Sequence, residues 1–191
     1  GSLFTKDYQI KRQLGKGGMG HVYEAKNIHS DKIVALKIIL GADEDEMQEL
    51  LLRFKTECSA LEKLAHQNLV QIYHSGVHDG KIPYFTMELI NGEDLGKINE
   101  RGIEPLRAIQ IAADVASALT EVHKHNLIHR DVKPNNIRID SKSGLTKLLD
   151  FGIARFTEGQ HKDITRLYNL SPVGTPYYMA PEHVKNIIGE V

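Results

Sequence analysis

The sequence has little of several features that would place it in a specialised class of protein. It contains a single cysteine, Cys58, so an intrachain disulfide is impossible and a reducing, intracellular compartment is favoured. Its formal net charge is −1, so no overall field draws it to nucleic acid or to an anionic membrane. No apolar run approaches the roughly 18 residues that a membrane helix needs. We therefore expect a cytoplasmic chain, or the cytoplasmic part of a larger or membrane-anchored protein, with no nucleic-acid partner and no membrane segment in these residues.

Apolar residues make up 41% of the chain, which is enough for a packed core. Short alternating or continuous apolar runs predict strands over residues 8–14, 21–26, 33–40, 69–73 and 82–89. Helical spacing of apolar residues predicts helices over 45–65 and 105–125, and two short strands are expected at 137–139 and 147–149. Strands with one helix come first and helices dominate afterwards, which is typical of an α+β fold in two lobes. A short linker at 91–93 sets the boundary, giving an N-terminal lobe over 1–90 and a C-terminal lobe over 91–191.

Both predicted helices carry an apolar stripe that should face the core. In the first helix the apolar positions are Met47, Leu50, Phe54, Leu61 and Leu64. Pro105 opens the second helix, in the first turn, where the missing N–H of proline is tolerated. Its predicted buried face consists of Leu106, Ile109, Ala113, Ala116, Leu119 and Val122.

A glycine-rich stretch from Gly15 to Gly20 separates the first two predicted strands. Glycines on such a hairpin let main-chain N–H groups approach an anion closely, because no side chain intervenes. A dinucleotide-binding fold would require the same glycines to open a helix, whereas a strand follows here. Taken alone, the motif is equally compatible with a flexible turn that binds nothing. Val22, just after the loop, is placed to cover a flat apolar ring.

Two charged residues interrupt apolar patterns in this first half of the chain. Lys37 lies inside the run from Val34 to Ile39, and Glu57 lies on the apolar stripe of the first helix. Burying either charge alone would cost several kcal/mol, roughly, and pairing them offsets much of that cost. We expect a Lys37–Glu57 ion pair that presents the ammonium group to a phosphate. The alternatives are an edge-strand lysine whose head stays in water and a glutamate on a solvated helix face.

Further along the chain, four polar residues fall within 20 positions of one another. Asp131, Lys133 and Asn136 follow His129-Arg130, and Asp150 precedes Phe151-Gly152. Carboxylate and amide oxygens are the ligands that Mg²⁺ prefers. The stretch can therefore hold a metal ion and place a hydroxyl group for proton removal.

These motifs, in this order, resemble those of the eukaryotic-like protein-kinase family. The resemblance covers residues 8–191 and rests on Gly15–Gly20 with Val22, Ala35-Leu36-Lys37, Glu57, His129-Arg130-Asp131 with Asn136, Asp150-Phe151-Gly152, and Ala180-Pro181-Glu182. It implies a two-lobe fold, with an antiparallel sheet and one helix in the N-terminal lobe and a mainly helical, incomplete C-terminal lobe. It also implies ATP and Mg²⁺ as cofactors.

The resemblance implies a role for each matched catalytic residue. Lys37, held by Glu57, would contact the α- and β-phosphates of ATP. Asp131 would orient or deprotonate the substrate hydroxyl, with Lys133 offsetting charge during phosphoryl transfer. Asn136 and Asp150 would hold Mg²⁺. His129, with Leu61, Ile72 and Phe151, would belong to an internal hydrophobic column and is expected to be structural.

The nucleotide site implied by the resemblance draws on the sheet and on the linker between the lobes. The glycine-rich loop would cover the phosphates, Met87 would guard the back of the pocket, and a hinge at 88–90 would bond adenine through main-chain groups. The expected contact residues are Leu14, Gly15, Lys16, Gly17, Gly18, Met19, Gly20, Val22, Ala35, Lys37, Met87, Glu88 and Ile90.

Details of the motifs narrow the implied activity to serine/threonine protein kinases. Lys133 stands two residues after Asp131, and Gly174-Thr175-Pro176 precedes Tyr177-Tyr178-Met179, as in kinases of that type. The sequences of residues 53–57 and 150–155 are most similar to those of bacterial enzymes. Expected partners are protein substrates with serine or threonine. A small-molecule phosphotransferase is an alternative, which Lys133 and Ala180-Pro181-Glu182 disfavour.

Regulation through the segment after Asp150 is a further expectation. Arg130 immediately precedes Asp131, which in this family marks kinases switched by phosphorylation of the activation loop. Arg53, Arg130 and Arg155 could converge on one phosphate, carried by Ser171 or by Thr165. The alternative is three solvated arginines and an unmodified loop.

Two departures from the family pattern keep a rival interpretation open. The sequence ends at Val191, nine residues after Glu182, where the family continues for several helices. The helix from Pro105 is then expected to expose an apolar face that pairs with a second copy or another partner. Arg138 stands where the family has an apolar residue beneath adenine. The alternative function is a nucleotide-binding pseudokinase or scaffold, inactive because the C-terminal lobe is truncated.

Overall fold

The fold is taken from a computed structural model, which describes residues 2–17, 20–39, 47–129, 131–150 and 178. At 47–50, 53 and 57 it describes the main chain alone. Residues Gly1–Thr157 form one compact unit and Glu158–Val191 a second. The description below concerns the first unit. The lobe boundary at residue 91 stays a prediction.

The N-terminal half is built on a five-stranded antiparallel sheet. Its strands are β1 Tyr8–Gly17, β2 Gly20–Asn27, β3 Ile33–Ile39, β4 Ile72–His78 and β5 Ile82–Met87. Their spatial order is β1-β2-β3-β5-β4, so consecutive strands pair as hairpins except where helix α1, Met47–Leu61, intervenes after β3. This confirms the expected antiparallel sheet with one helix.

Helices and a small sheet follow the five-stranded sheet. Strand β6, Gly92–Asp94, leads into helix α2, Leu95–Glu100, and helix α3 spans Pro105–Lys124. A 3-10 turn at Pro134–Asn136 precedes β7, Ile137–Asp140, and β8, Thr146–Leu148. These last strands form a three-stranded sheet in the order β6-β7-β8. Among the described helices, none has the length and apolar character required to cross a bilayer.

The larger of two apolar clusters in the described residues joins the sheet, α1 and α3. Phe54 and Leu61 of α1 are 2% and 4% exposed, and Leu148 of β8 is fully buried. Full burial of side chains of this size contributes about 1.5–3 kcal/mol each. Leu61, Ile72 and His129 of the expected hydrophobic column are all buried, whereas Phe151 lies outside the described residues.

The face by which α3 packs differs from the predicted stripe. The buried residues are Ile111, Val115, Ala118 and Val122. Leu106 and Ile109, which were expected inside, are 74% and 66% exposed. Helix α3 packs against β8, and this packing determines which face is buried, which the helical period alone does not.

A buried asparagine ties the segment after α1 to the strand that precedes Asp150. The side-chain amide of Asn68 donates to the Thr146 carbonyl oxygen at 2.9 Å. The main-chain N–H of Leu148 donates to the Asn68 carbonyl oxygen at 2.8 Å, and that of Val70 donates to the Leu148 carbonyl oxygen at 3.0 Å. These bonds fix β8, and hence Asp150, against the first half of the chain.

Candidate active site

Lys37 and Asp150 meet although they are far apart in sequence. The Lys37 Nζ atom lies 2.6 Å from Asp150 Oδ1, with side chains 12% and 33% exposed. Strand β3 positions the lysine, which is opposite Val22 of β2 and Phe85 of β5. Asp150 has a positive φ of 51°, a left-handed conformation that aspartate tolerates better than most residues. The side chain of Glu57, the partner expected for Lys37, lies outside the described residues.

A second network is centred on the carboxylate of Asp131. Its Oδ2 atom lies 2.8 Å from Lys133 Nζ and accepts a hydrogen bond of 2.7 Å from Asn136 Nδ2. The same amide also donates to the Asp131 carbonyl oxygen at 2.8 Å. The 3-10 turn holds Asn136 in place, and its carbonyl oxygen accepts from the Leu149 N–H at 2.7 Å. Three residues predicted to share a site are therefore in direct contact.

His129 supports the Asp131 network from the core. Its Nε2 atom is 2.9 Å from the Leu149 carbonyl oxygen, and its Nδ1 atom accepts from the Asp131 main-chain N–H at 3.3 Å. These contacts define the neutral tautomer with the proton on Nε2. Burial lowers the pKa of His129 below its usual value, in keeping with a neutral, structural side chain. The residue that follows it in the motif, Arg130, lies outside the described residues.

The four charged residues of the two networks balance one another. Lys37 and Lys133 offset Asp131 and Asp150, so these side chains have no net charge. A nucleoside triphosphate would add several negative charges here, which requires further cations. Mg²⁺ commonly binds one or two protein oxygens together with phosphates and water. Among the described residues no group of three or more His, Cys, Asp or Glu side chains forms a metal cluster.

The residues available to such an ion are Asn136 and Asp150. The Nδ2 group of Asn136 faces Asp131, which puts the Oδ1 atom on the other side of the amide. The Asp150 carboxylate has its Oδ1 atom beside Lys37. Both residues present hard oxygen atoms, so the donor set fits Mg²⁺.

One face of the sheet presents the residues expected around the nucleotide. Residues directly opposite each other in an antiparallel pair share a face, and Val22 is opposite both Gly15 and Lys37. Ala35, two residues before Lys37, is opposite Met87, and both are 4% exposed. Lys16 and Gly17 end β1, and Gly20 begins β2. Gly18 and Met19 lie outside the described residues.

The hinge, residues 88–90, borders an open cavity of about 440 Å³. Leu14, Ile90 and Arg138 are among the residues that line it. Arg138 Nη1 donates to the Ile90 carbonyl oxygen at 3.4 Å, and Glu88 Oε2 lies 2.8 Å from Lys147 Nζ. The cavity therefore has a basic residue where a flat base would need an apolar surface, as the departure at Arg138 indicated.

Lys147 is a site residue that sequence reasoning did not single out. It lies on β8 between Thr146 and Leu148, both fully buried, and its own side chain is 12% exposed. The signal was the one that marked Lys37, a lysine within a short apolar strand. It was overlooked because three residues are too few to establish a pattern.

This arrangement is that of a protein kinase. The family model described as a protein kinase domain matches residues 8–189, and the chain belongs to that family. The expected family and the two-lobe fold class are therefore confirmed.

Bacterial serine/threonine kinases are among its relatives. The chain is 37% identical to serine/threonine-protein kinase PknB of Mycolicibacterium smegmatis over 183 residues, covering 93% of this chain and 29% of that protein. It is 36% identical to serine/threonine-protein kinase PrkC of Bacillus subtilis over 187 residues, covering 97% of this chain and 28% of that one. The chain thus spans less than a third of the length of these relatives.

Solved structures give the same fold. The crystal structure of the PknI kinase domain from Mycobacterium tuberculosis matches with a TM-score of 0.69 at 30% identity, covering 80% of this chain and 62% of that one. Similarity at this level supports the description of the sheet, α1 and the catalytic segment as a kinase core.

Proposed function

We propose that this chain is an ATP-dependent protein kinase that transfers the γ-phosphate to serine or threonine hydroxyls of proteins. Its family membership and its similarity to bacterial serine/threonine kinases support the class of reaction. The residues that would perform the reaction follow from the two networks of the candidate site.

The observation that carries the proposal is the environment of Asp131 Oδ2. Lys133 Nζ and Asn136 Nδ2 both contact this oxygen, at 2.8 and 2.7 Å, and Asp131 is only 16% exposed. An ionised carboxylate held in this way can accept the proton of a hydroxyl that approaches its other oxygen. Lys133 lies close enough to offset negative charge on the transferred group.

The nucleotide would bind beside the Lys37–Asp150 network. Lys37 on β3 is positioned to contact phosphate oxygens, with Asp150 holding its ammonium group in place. Asn136 and Asp150 would hold Mg²⁺, which supplies positive charge to the phosphates when bound. Leu14, Val22, Ala35 and Met87 would enclose the base, and the hinge at Glu88 and Ile90 would bond it. The glycine-rich loop, including Lys16, would cover the phosphates.

The test is transfer of labelled phosphate from Mg-ATP to a generic protein such as casein, comparing the wild-type chain with Asp131→Asn. The variant keeps the shape of the side chain but loses the carboxylate, so we expect transfer to fall at least about 100-fold. Equal transfer by both proteins would refute the proposal. Phosphoamino-acid analysis of the product tests the preference for serine and threonine.

One observation favours a second candidate, a nucleotide-binding pseudokinase or scaffold. Arg138, where the family has an apolar residue, lines the cavity beside the hinge and contacts the Ile90 carbonyl oxygen, so the surface offered to a base departs from that of the family. Under this alternative the wild-type chain binds a nucleotide but transfers no phosphate. Transfer that depends on Asp131 excludes it.

Regulation by phosphorylation of the segment after Asp150 is part of the proposal. Arg53, Arg130 and Arg155 would bind a phosphate on Ser171 or Thr165, forming charge-assisted hydrogen bonds that order the segment. All five positions lie outside the described side chains, so the support is the sequence alone. Phosphosite mapping after incubation with Mg-ATP tests it, and active protein that stays unmodified at both sites would contradict it.

A further inference from the structure

Two cationic side chains of the small sheet point to the same segment. Arg138 of β7 is directly opposite Lys147 of β8. Side chains so placed share one face of the sheet, with Cβ atoms about 5 Å apart. Like charges at this separation repel each other unless each has its own acceptor. In this structure Lys147 bonds to Glu88 and Arg138 bonds to Ile90, and both of these residues belong to the hinge.

Lys147 bonds to the beginning of the hinge. Its Nζ atom lies 2.8 Å from Glu88 Oε2, with side chains 12% and 30% exposed, and it donates to the Leu69 carbonyl oxygen at 3.3 Å. Glu88 in turn accepts from the Gln71 N–H at 3.5 Å and donates its own N–H to the Gln71 carbonyl oxygen at 2.8 Å. One lysine therefore links β8, Glu88 and the segment before β4.

Arg138 bonds to the other end. Its Nη1 atom donates to the Ile90 carbonyl oxygen at 3.4 Å. The next residue is also fixed, because the Asn91 carbonyl oxygen accepts from the Ser141 N–H at 2.7 Å. Both ends of the hinge are thus bonded to the hairpin formed by β7 and β8.

We propose that Arg138 and Lys147 act as a pair of positioning residues that hold the hinge main chain against the β7–β8 hairpin and thereby raise the affinity for the nucleotide base. A base bonded by hinge N–H and carbonyl groups binds more tightly when these groups are already in place, because less conformational entropy is lost on binding. On this view the bond from Arg138 to Ile90 offsets the loss of the apolar residue that the family has at this position. The effect on nucleotide affinity rests on the proposed function, whereas the effect on the hinge does not.

The first measurement is hydrogen–deuterium exchange of the full chain without nucleotide. Arg138→Met and Lys147→Met remove one bond each while keeping an unbranched apolar stem. We expect each to raise the exchange rate of main-chain amides at 88–91 by about threefold or more, since local opening becomes easier. The matched control is Arg107→Met, which removes an arginine bond of 2.8 Å to the Gly144 carbonyl oxygen at the far end of the same hairpin. It should leave exchange at 88–91 unchanged.

The second measurement is ATP binding and steady-state kinetics. Arg138→Met also gives the base an apolar surface, so this variant is used for the exchange measurement alone. We expect Lys147→Met to weaken ATP binding about tenfold, the effect of losing one hydrogen bond to a charged group. The KM for ATP should rise while kcat stays within about twofold, because the hinge is remote from the transferred phosphate. A variant that merely lost stability would lower the melting temperature without this separation of KM from kcat.

The outcomes are distinct. Exchange at 88–91 that matches the Arg107→Met control in both variants overturns the proposal, whether or not nucleotide binds. Raised exchange with unchanged ATP affinity overturns the link to binding. A wild-type chain that binds no ATP overturns the proposed function, and the exchange data still decide whether the two cations hold the hinge. If Lys147→Met does not fold, Arg138→Met, at a half-buried position, still supplies the exchange measurement, and Glu88→Gln, which removes the charge that Lys147 binds, supplies the affinity measurement.

Discussion

The main-chain N–H of Asp131 donates to Nδ1 of His129 across 3.3 Å. The proposed catalytic base is therefore held by one nitrogen of a buried imidazole whose other nitrogen is 2.9 Å from the Leu149 carbonyl oxygen. The bond at Nδ1 requires the neutral ring, because a proton on Nδ1 would remove the acceptor for the Asp131 N–H, whereas Nε2–H can donate to the Leu149 carbonyl oxygen in either state. The stability of this segment should consequently depend on pH.

His129 should make the protein less stable as the pH falls. Burial lowers its folded-state pKa, whereas in the unfolded chain it titrates near about 6.5. Below about pH 6.5 the unfolded state therefore binds a proton that the native state does not, and the free energy of unfolding decreases by up to about 1.4 kcal/mol per pH unit until the folded-state pKa is reached. Above about pH 6.5 the contribution is constant. Urea unfolding at pH 7.5 and 5.5 measures this slope.

The matching variant is His129→Gln. The free energy of unfolding should depend less on pH in this variant than in the wild type, even if the overall stability also changes. His123→Gln is the control, because His123 is exposed on α3 and its loss should leave the slope as in the wild type. Identical slopes for His129→Gln and the wild type would contradict the role assigned to the buried ring.

Lys37→Met should abolish phosphate transfer with little loss of stability. The methionine fills the same space on β3 but removes the ammonium group from Asp150 and from the phosphates, so we expect transfer to drop at least about 100-fold. The control is Lys26→Met, which breaks another lysine–aspartate pair of the same sheet, Lys26–Asp31 at 2.6 Å. That variant should transfer phosphate normally. Comparable activity of both variants would show that the Lys37–Asp150 pair has no catalytic importance.

The sequence predicted the fold where a pattern is local and long. Strands β1, β2, β3 and β5, and both long helices, were expected within a few residues of their observed bounds, because each apolar pattern extends over six residues or more. Strand β4 was expected at 69–73 but spans Ile72–His78, since Leu69 and Val70 are apolar for another reason: they pack in the core beside β8. Strand β6 falls on the expected linker at 91–93, and helix α2 was not predicted, because both elements are too short to show a period.

The residues of the candidate site could be predicted from the sequence better than the contacts between them. Asp131, Lys133 and Asn136 lie within six residues, so their contact follows from one turn of chain. The Lys37–Asp150 pair joins residues separated by 113 positions, and only tertiary packing through the bonds of Asn68 brings them together. The partner expected for Lys37 was Glu57, the nearest charge that also broke an apolar pattern. Pairing of α3 with a second copy stays a prediction, and the exposed Leu106 and Ile109 are the residues it would use.

Gly20→Ala should destabilise the protein, whereas Gly15→Ala, at the other end of the glycine-rich stretch, should not. A Cβ atom at Gly20 would lie 2.0 Å from the Ile38 carbonyl oxygen, and its φ of +143° strains any other residue. We expect a loss of about 2–4 kcal/mol in the free energy of unfolding. At Gly15 a Cβ atom meets nothing within 4 Å, so Gly15→Ala should change it by less than about 0.5 kcal/mol. Chemical denaturation of both variants measures the difference, and equal effects would contradict it.

Asn68→Ala should weaken the connection between the first half of the chain and strand β8, which leads to Asp150. The substitution removes the bond from Asn68 Nδ2 to the Thr146 carbonyl oxygen at a position that is 2% exposed. A buried carbonyl group left without this donor costs about 1–3 kcal/mol, and we expect unfolding free energy to fall by that amount. The control is Asn99→Ala, at an exposed position of α2, which should be nearly neutral. Because β8 leads directly to Asp150, Asn68→Ala should also reduce phosphate transfer at temperatures where the protein is still folded. A variant that loses stability but keeps full transfer would mean that β8 is held well enough by the main-chain bonds of Leu148 and Val70 alone.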